Sequence, residues 1–200
     1  MHGGPMTDFV YEHTAEEMKG YGIDPWSEDD LISLVNKNKN DYYILWEATI
    51  MLQKVGTRKS LELLYELIHY PKTDVRITSF YAISHILKEE GNDFYVESLE
   101  NPEIRVKFPV LKAIEQYSNN TAVSAVANRA KIILSRIRKK VPRDERDMTE
   151  LTIALKYLMK FPDEHFEVII DLLRKKFDRL VPQEVAWIKE NIPELAQQIV

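Results

Sequence analysis

The chain has 200 residues, 44% of them hydrophobic and 30% charged, with a net charge of −5. That mix is globular, because a disordered chain holds too few apolar groups to offset its ordering entropy. The absence of cysteine excludes a disulfide scaffold, a thiolate nucleophile and a Cys-ligated zinc site.

Met1–Pro5 reads as a flexible leader, and residues 6–26 as a short helix and loop. There, Phe9, Tyr11, Tyr21 and Trp26 mix with acids and with Gly20, Gly22 and Pro25. Ser27 with Asp30 resembles a capping box, which satisfies free N–H groups at a helix start. Leu31, Leu34 and Val35 supply the apolar stripe that follows. Residues 41–55 carry Ile44, Leu45, Ala48, Leu52 and Val55 at helical spacing. Gly56 is expected to end that helix in the left-handed cap conformation.

Thr57 opens the next helix, with Leu61, Leu64, Tyr65 and Ile68 on its inner side, and Pro71 breaks it. Asp74 is expected to cap the following helix, with Ser79, Ala82, Ile83, Ile86 and Leu87 inward. A short helix from Phe94 to Leu99 comes after Gly91. Asn101-Pro102 is expected to start another, helical over 103–117 despite Pro109. The longest helix is predicted over 120–140, with Val123, Val126, Ala130, Ile133 and Ile137 in register. Helices at about 147–160, 164–177 and 183–191 and a last turn from Pro193 complete the chain. No segment alternates with period two, so no sheet is predicted.

Self-similarity organises these elements. Ile68-His-Tyr-Pro-Lys-Thr-Asp-Val-Arg76 precedes one helix, and Leu99-Glu-Asn-Pro-Glu-Ile-Arg105 precedes another. Each reads as helix end, Pro turn, acid, aliphatic, Arg, new helix. Residues 34–41 and the turn Val141–Arg146 look like degenerate copies. The helix ends at Leu34, Ile68, Leu99, Ile137 and Leu173 are 34, 31, 38 and 36 residues apart. This pattern resembles the HEAT-repeat family. The resemblance implies an all-α fold, a right-handed α-solenoid of stacked antiparallel helix pairs. Stacking is what such pairs require, since one hairpin cannot bury its apolar face alone. It also implies a ladder of charge pairs from Asp74/Arg76 and Glu103/Arg105, and a proline kink at Pro109. The expected organisation is a leader and short helix over 1–26, then one solenoid domain over 27–200 with a helical cap from about 147.

Charge is unevenly spread. Residues 1–40 are acidic, whereas 129–146 gather Arg129, Lys131, Arg136, Arg138, Lys139, Lys140, Arg143 and Arg146. Arg129, Arg136, Lys139 and Lys140 are expected on a common side of one helix. Clustered cations of this kind suit phosphate or an acidic protein; the plain alternative is a solvated helix end. By the resemblance, the second helix of each pair lines a concave surface. That surface presents Glu62, Glu66 and His69 early in the array and Asn128, Lys131, Arg136, Lys139 and Lys140 late in it. Tyr42, Tyr43, Trp46, Tyr65, Tyr70, Phe80 and Tyr81 read mainly as core, and as binding anchors wherever exposed.

No catalytic residue is assigned. The chain has neither a Gly-rich phosphate loop nor a Gly-x-Ser-x-Gly elbow. His69 and His85 fall on neighbouring predicted helices, but the His-Glu-x-x-His pattern is missing and no metal or cofactor is expected. The function expected is a non-enzymatic protein-binding module, a scaffold, adaptor or small toxin-neutralising immunity-type protein. The alternative is a nucleic-acid binder, of the DNA-glycosylase-like kind, using residues 129–146. A metal-dependent enzyme of the same architecture would need His-Glu pairs in successive repeats. No small-molecule substrate is evident. No apolar run reaches the ~20 residues of a membrane span, no secretion signal is visible, and the expected location is the cytoplasm.

Overall fold

Every regular element among residues 8–136 and 148–197, which this computed structural model describes, is a helix. Packing gathers the described residues into two compact units, 8–91 with 103–109, and 92–102 with 110–136 and 148–197.

In the first unit, α1 (Asp8–Met18) leads into a 3-10 turn at Lys19–Tyr21, closed by Gly22. Gly22 sits at φ 72°, a left-handed conformation that costs glycine nothing. Ser27 caps α2 (Glu28–Lys37) by accepting from the Asp30 N–H at 3.3 Å. Only that half of the expected box forms, because the Asp30 carboxylate accepts from the Asp24 N–H instead. Asp41 caps α3 (Tyr42–Val55) by accepting from the N–H groups of Tyr43 and Ile44. A 3-10 turn at Arg58–Ser60 enters α4 (Leu61–Leu67), and α5 (Thr73–Leu87) follows.

The centre of this unit is α3, against which α1, α2 and α5 all pack. A helix covered on several sides must be apolar around most of its girth, and Leu45, Ala48, Met51 and Leu52 are wholly buried. Burying Leu45, Met51 and Leu52 contributes about 1.5–3 kcal/mol each. Polar contacts cross the α3–α5 seam. The hydroxyls of Thr49 and Thr78 bond at 2.6 Å, and His85 Nδ1 lies 3.2 Å from the Gln53 carbonyl.

Four expectations change here. Gly56 has extended backbone (φ −66°, ψ 143°), so handedness is not its reason; a Cβ there would meet Leu52 O at 2.4 Å. Asp74 lies in the first turn of α5, whose cap position is Lys72, and accepts from the Tyr42 hydroxyl. Arg76 does not pair with it: its guanidinium donates to the carbonyls of Tyr70 and Pro71 and to the Thr73 hydroxyl. Tyr65 is 37% exposed, while Leu63, Leu64, Leu67 and Ile68 form the inner side of α4.

The second unit holds α6 (Asn92–Glu100), α7 (Lys107–Tyr117, whose first three residues group with the first unit), α8 (Val123–Ser135), α9 (Glu150–Lys160), α10 (Glu164–Lys175), α11 (Pro182–Asn191) and α12 (Pro193–Gln197). Because α7 starts at Lys107 and not after Pro102, Pro109 stands in its first turn. The N–H that proline lacks has no intrahelical partner there, so no kink is needed. The helix at the centre is α8, packed by α6, α9 and α10. Thr149 and Thr152 cap α9 reciprocally, and the Thr149 hydroxyl also donates to Glu184 Oε1 at 2.7 Å. Glu184 on α11 is wholly buried and accepts from the Val181 N–H as well.

Candidate interaction surface

Three helix ends of the first unit meet where α3 begins. The Tyr42 hydroxyl donates to Asp74 Oδ2 at 2.8 Å, which sets the starts of α3 and α5 side by side. Lys39 Nζ reaches Glu66 Oε2 at 3.3 Å, which brings the end of α4 to the loop entering α3. Asp8 pairs with Lys54 at 3.0 Å near the far end of α3. The opposite end of α1 therefore lies toward the start of α3, and there Tyr21 stands close enough to Glu47 for each to shift the other's ionisation.

This end carries aromatic rings in water. Tyr43 is 65% exposed and Tyr21 40%. Tyr42 and Trp46, both half-buried, stack at 6.4 Å between centroids, and Tyr43 sits edge-on to Tyr42 at 5.0 Å. Tyr43 and Glu47, one helical turn apart, share a face of α3. Most aromatics expected in the core are there only in part: Phe80 is fully buried, whereas Tyr43 and Tyr65 face outward.

Glu47 is the residue that sequence reasoning passed over. It is 8% exposed, and its Oε2 is buried without a hydrogen-bond donor. Burial holds its carboxyl above the ordinary carboxylate range, with Glu17 and Asp41 adding to the rise and the neighbouring Tyr21 hydroxyl offsetting part of it. The available signal was an acid inside the apolar run Ile44–Leu52, three residues after one core position and one before another.

Of the residues expected to bind, Glu62, Glu66 and His69 are exposed on or just after α4, in the first unit. Helical spacing puts Tyr65 in the same row. Asn128 is exposed and Lys131 half-buried on α8, in the second unit. Arg136 is exposed but no longer helical: α8 stops at Ser135 and Arg136 is extended at φ −98°, ψ 146°. Lys139 and Lys140 lie outside the described residues. Arg129 donates through Nε to Glu150 Oε2 at 2.8 Å, both side chains being largely buried, so it ties α8 to α9. The common cationic face expected of Arg129 and Arg136 on one helix is therefore not formed.

Among the described residues no group of three or more His, Asp and Glu side chains is placed to hold a metal, and His85 is directed at the Gln53 carbonyl. No helix among them is long and apolar enough to cross a membrane. No protein-family model matches the chain, and neither a curated protein nor a solved structure matches it.

Proposed function

We propose that the chain is a non-enzymatic protein-binding module built as a HEAT-like α-solenoid. Support for the architecture comes from each unit taken alone. Helices pack against the next helix and the next but one, as in α4–α5 and α3–α5, or α8–α9 and α8–α10. Side-chain ties in the first unit recur at near-constant spacing: Glu28 to Thr57, Asp29 to Lys59, Tyr42 to Asp74, Gln53 to His85 and Arg58 to Glu90. Such spacing is what neighbouring repeats of about 30 residues produce. A cysteine-free chain suits the reducing cytoplasm, where this reading places it.

The observation that carries the binding role is the ring cluster at the start of α3, with Tyr43 mostly in solvent. Tyrosine and tryptophan bring large contact area at low entropy cost, and few such anchors dominate most interfaces. The row Glu62, Tyr65, Glu66 and His69 adjoins this end through Lys39, so part of the expected surface belongs to it. Affinity capture from source lysate tests the reading, with Tyr43→Ala as the paired bait. The module reading predicts a stoichiometric protein on the unaltered bait that is depleted on the variant. Equal retention by both baits, or recovery of nuclease-sensitive material alone, overturns it.

A further inference from the structure

The geometry points to a receptor for a cationic side chain, ammonium or guanidinium, from a basic segment of a partner protein, formed by Glu47, Asp41 and Glu17 with the rings of Tyr21 and Tyr43. This deepens the protein-binding reading and rests on it.

The argument starts from Glu47. A buried carboxylate oxygen with no donor is costly, and native proteins rarely keep one. Glu17 and Asp41 add like charge to its surroundings, and no cation among the described residues forms an ion pair with it. Its Oε2 is buried with no hydrogen-bond donor. Asp41 spends Oδ1 on the α3 cap, and Glu17 stands 3.6 Å from His13. The cluster therefore holds more negative charge than the fold answers, and it lies beside exposed rings.

Rings and carboxylates together specify the ligand. A cation over a tyrosine face is attracted by the ring quadrupole, and neighbouring carboxylates add charge-assisted hydrogen bonds. Tyr21, a neighbour of Glu47 that is 40% exposed, stands on a short 3-10 turn that ends at a left-handed glycine. An arriving guanidinium or ammonium supplies the donor that Oε2 lacks. A neutral peptide offers neither the charge nor enough donors, and an acidic one is repelled.

The test uses the full chain and a capped peptide in which arginines alternate with glycine and serine. The same peptide with citrulline, a neutral look-alike of arginine, is the first control. Binding is followed by calorimetry for the unaltered chain, Glu47→Gln, Tyr43→Ala, and Glu89→Gln, an exposed acid outside the cluster. Expected are a loss of roughly tenfold or more in affinity for Glu47→Gln, a few-fold loss for Tyr43→Ala, no change for Glu89→Gln, and no binding of the citrulline peptide. Equal affinity across the variants shows attraction to net charge alone and overturns the site, as does citrulline binding or no binding. Running the captured partner on Glu47→Gln separates the two readings. A partner lost with Tyr43→Ala but kept by Glu47→Gln leaves the module standing without the cation site; one lost with both supports the site.

Discussion

The Tyr42 hydroxyl on α3 donates to the Asp74 carboxylate on α5, and both groups stand in the first turns of their helices. Withdrawal from water, then that bond and the Asp74 charge, push the phenol up to about 12. The unfolded chain releases the same proton near pH ~10. The native state therefore binds the proton more tightly, and the stability this represents is complete below pH ~10 and lost as pH rises from there toward 12. Tyr157, pushed up to about 12 mainly by burial, contributes in the same window. Thermal melts from pH 9 to 12 should fall steeply, and less steeply for Tyr42→Phe. At neutral pH that variant should lose about 1 kcal/mol; an unchanged alkaline slope would mean that the tie is not made.

Gly56→Ala should be destabilising although its backbone angles suit alanine. The new Cβ would stand 2.4 Å from the Leu52 carbonyl oxygen and 3.2 Å from Ile86 Cδ1. Overpacking of this kind costs about 1–3 kcal/mol, measurable as a lower urea midpoint with unchanged slope.

Glu184→Ala should be among the more damaging changes in the second unit. It strands the Thr149 hydroxyl and the Val181 N–H, both bonded to the buried carboxylate. Losing a buried acceptor costs about 1–3 kcal/mol for each donor left unpaired. Chemical denaturation checks this, and Glu184→Gln, which keeps one acceptor, should recover part of the loss.

Tyr43→Ala should behave oppositely, with stability within about 0.5 kcal/mol of the unaltered chain and partner retention lost. A large drop in melting temperature would identify Tyr43 as a structural residue.

Much of the helix layout was legible because local chemistry writes it. Ser27 and Thr57 mark helix starts, and the stripes Leu31–Val35 and Leu151–Leu158 have the helical period. What was not legible depends on distant neighbours. Gly56 is small because Leu52 and Ile86 crowd it, which no local rule states. Asp74 looked like a cap because its partner, Tyr42, lies a repeat away. The stretch Pro102–Val106 reads as a helix start, yet Ile104 and Val106 bury their side chains in non-helical backbone. Arg129 belongs to a cationic row in the sequence, and its partner Glu150 is 21 residues away. Tyr43 and Glu47 are the clearest case. Their face of α3 follows the helical period whether covered or open, so periodicity alone could not tell an exposed ring or an orphaned carboxylate from core.

The melting temperature of Glu47→Gln, followed from pH 7 down to pH 3, tests most directly whether the fold carries this carboxylate at its own expense. A carboxyl raised by burial destabilises the native state once pH exceeds its unfolded value of ~4.3, and the penalty grows as pH rises through the folded value. The glutamine variant should therefore melt a few degrees higher at pH 7, roughly 2–4 °C for a gain near ~1 kcal/mol. That advantage should vanish below pH ~4. A variant that melts lower at pH 7 would show that the charged carboxylate stabilises the fold, and would contradict its role as a binding group awaiting a cation.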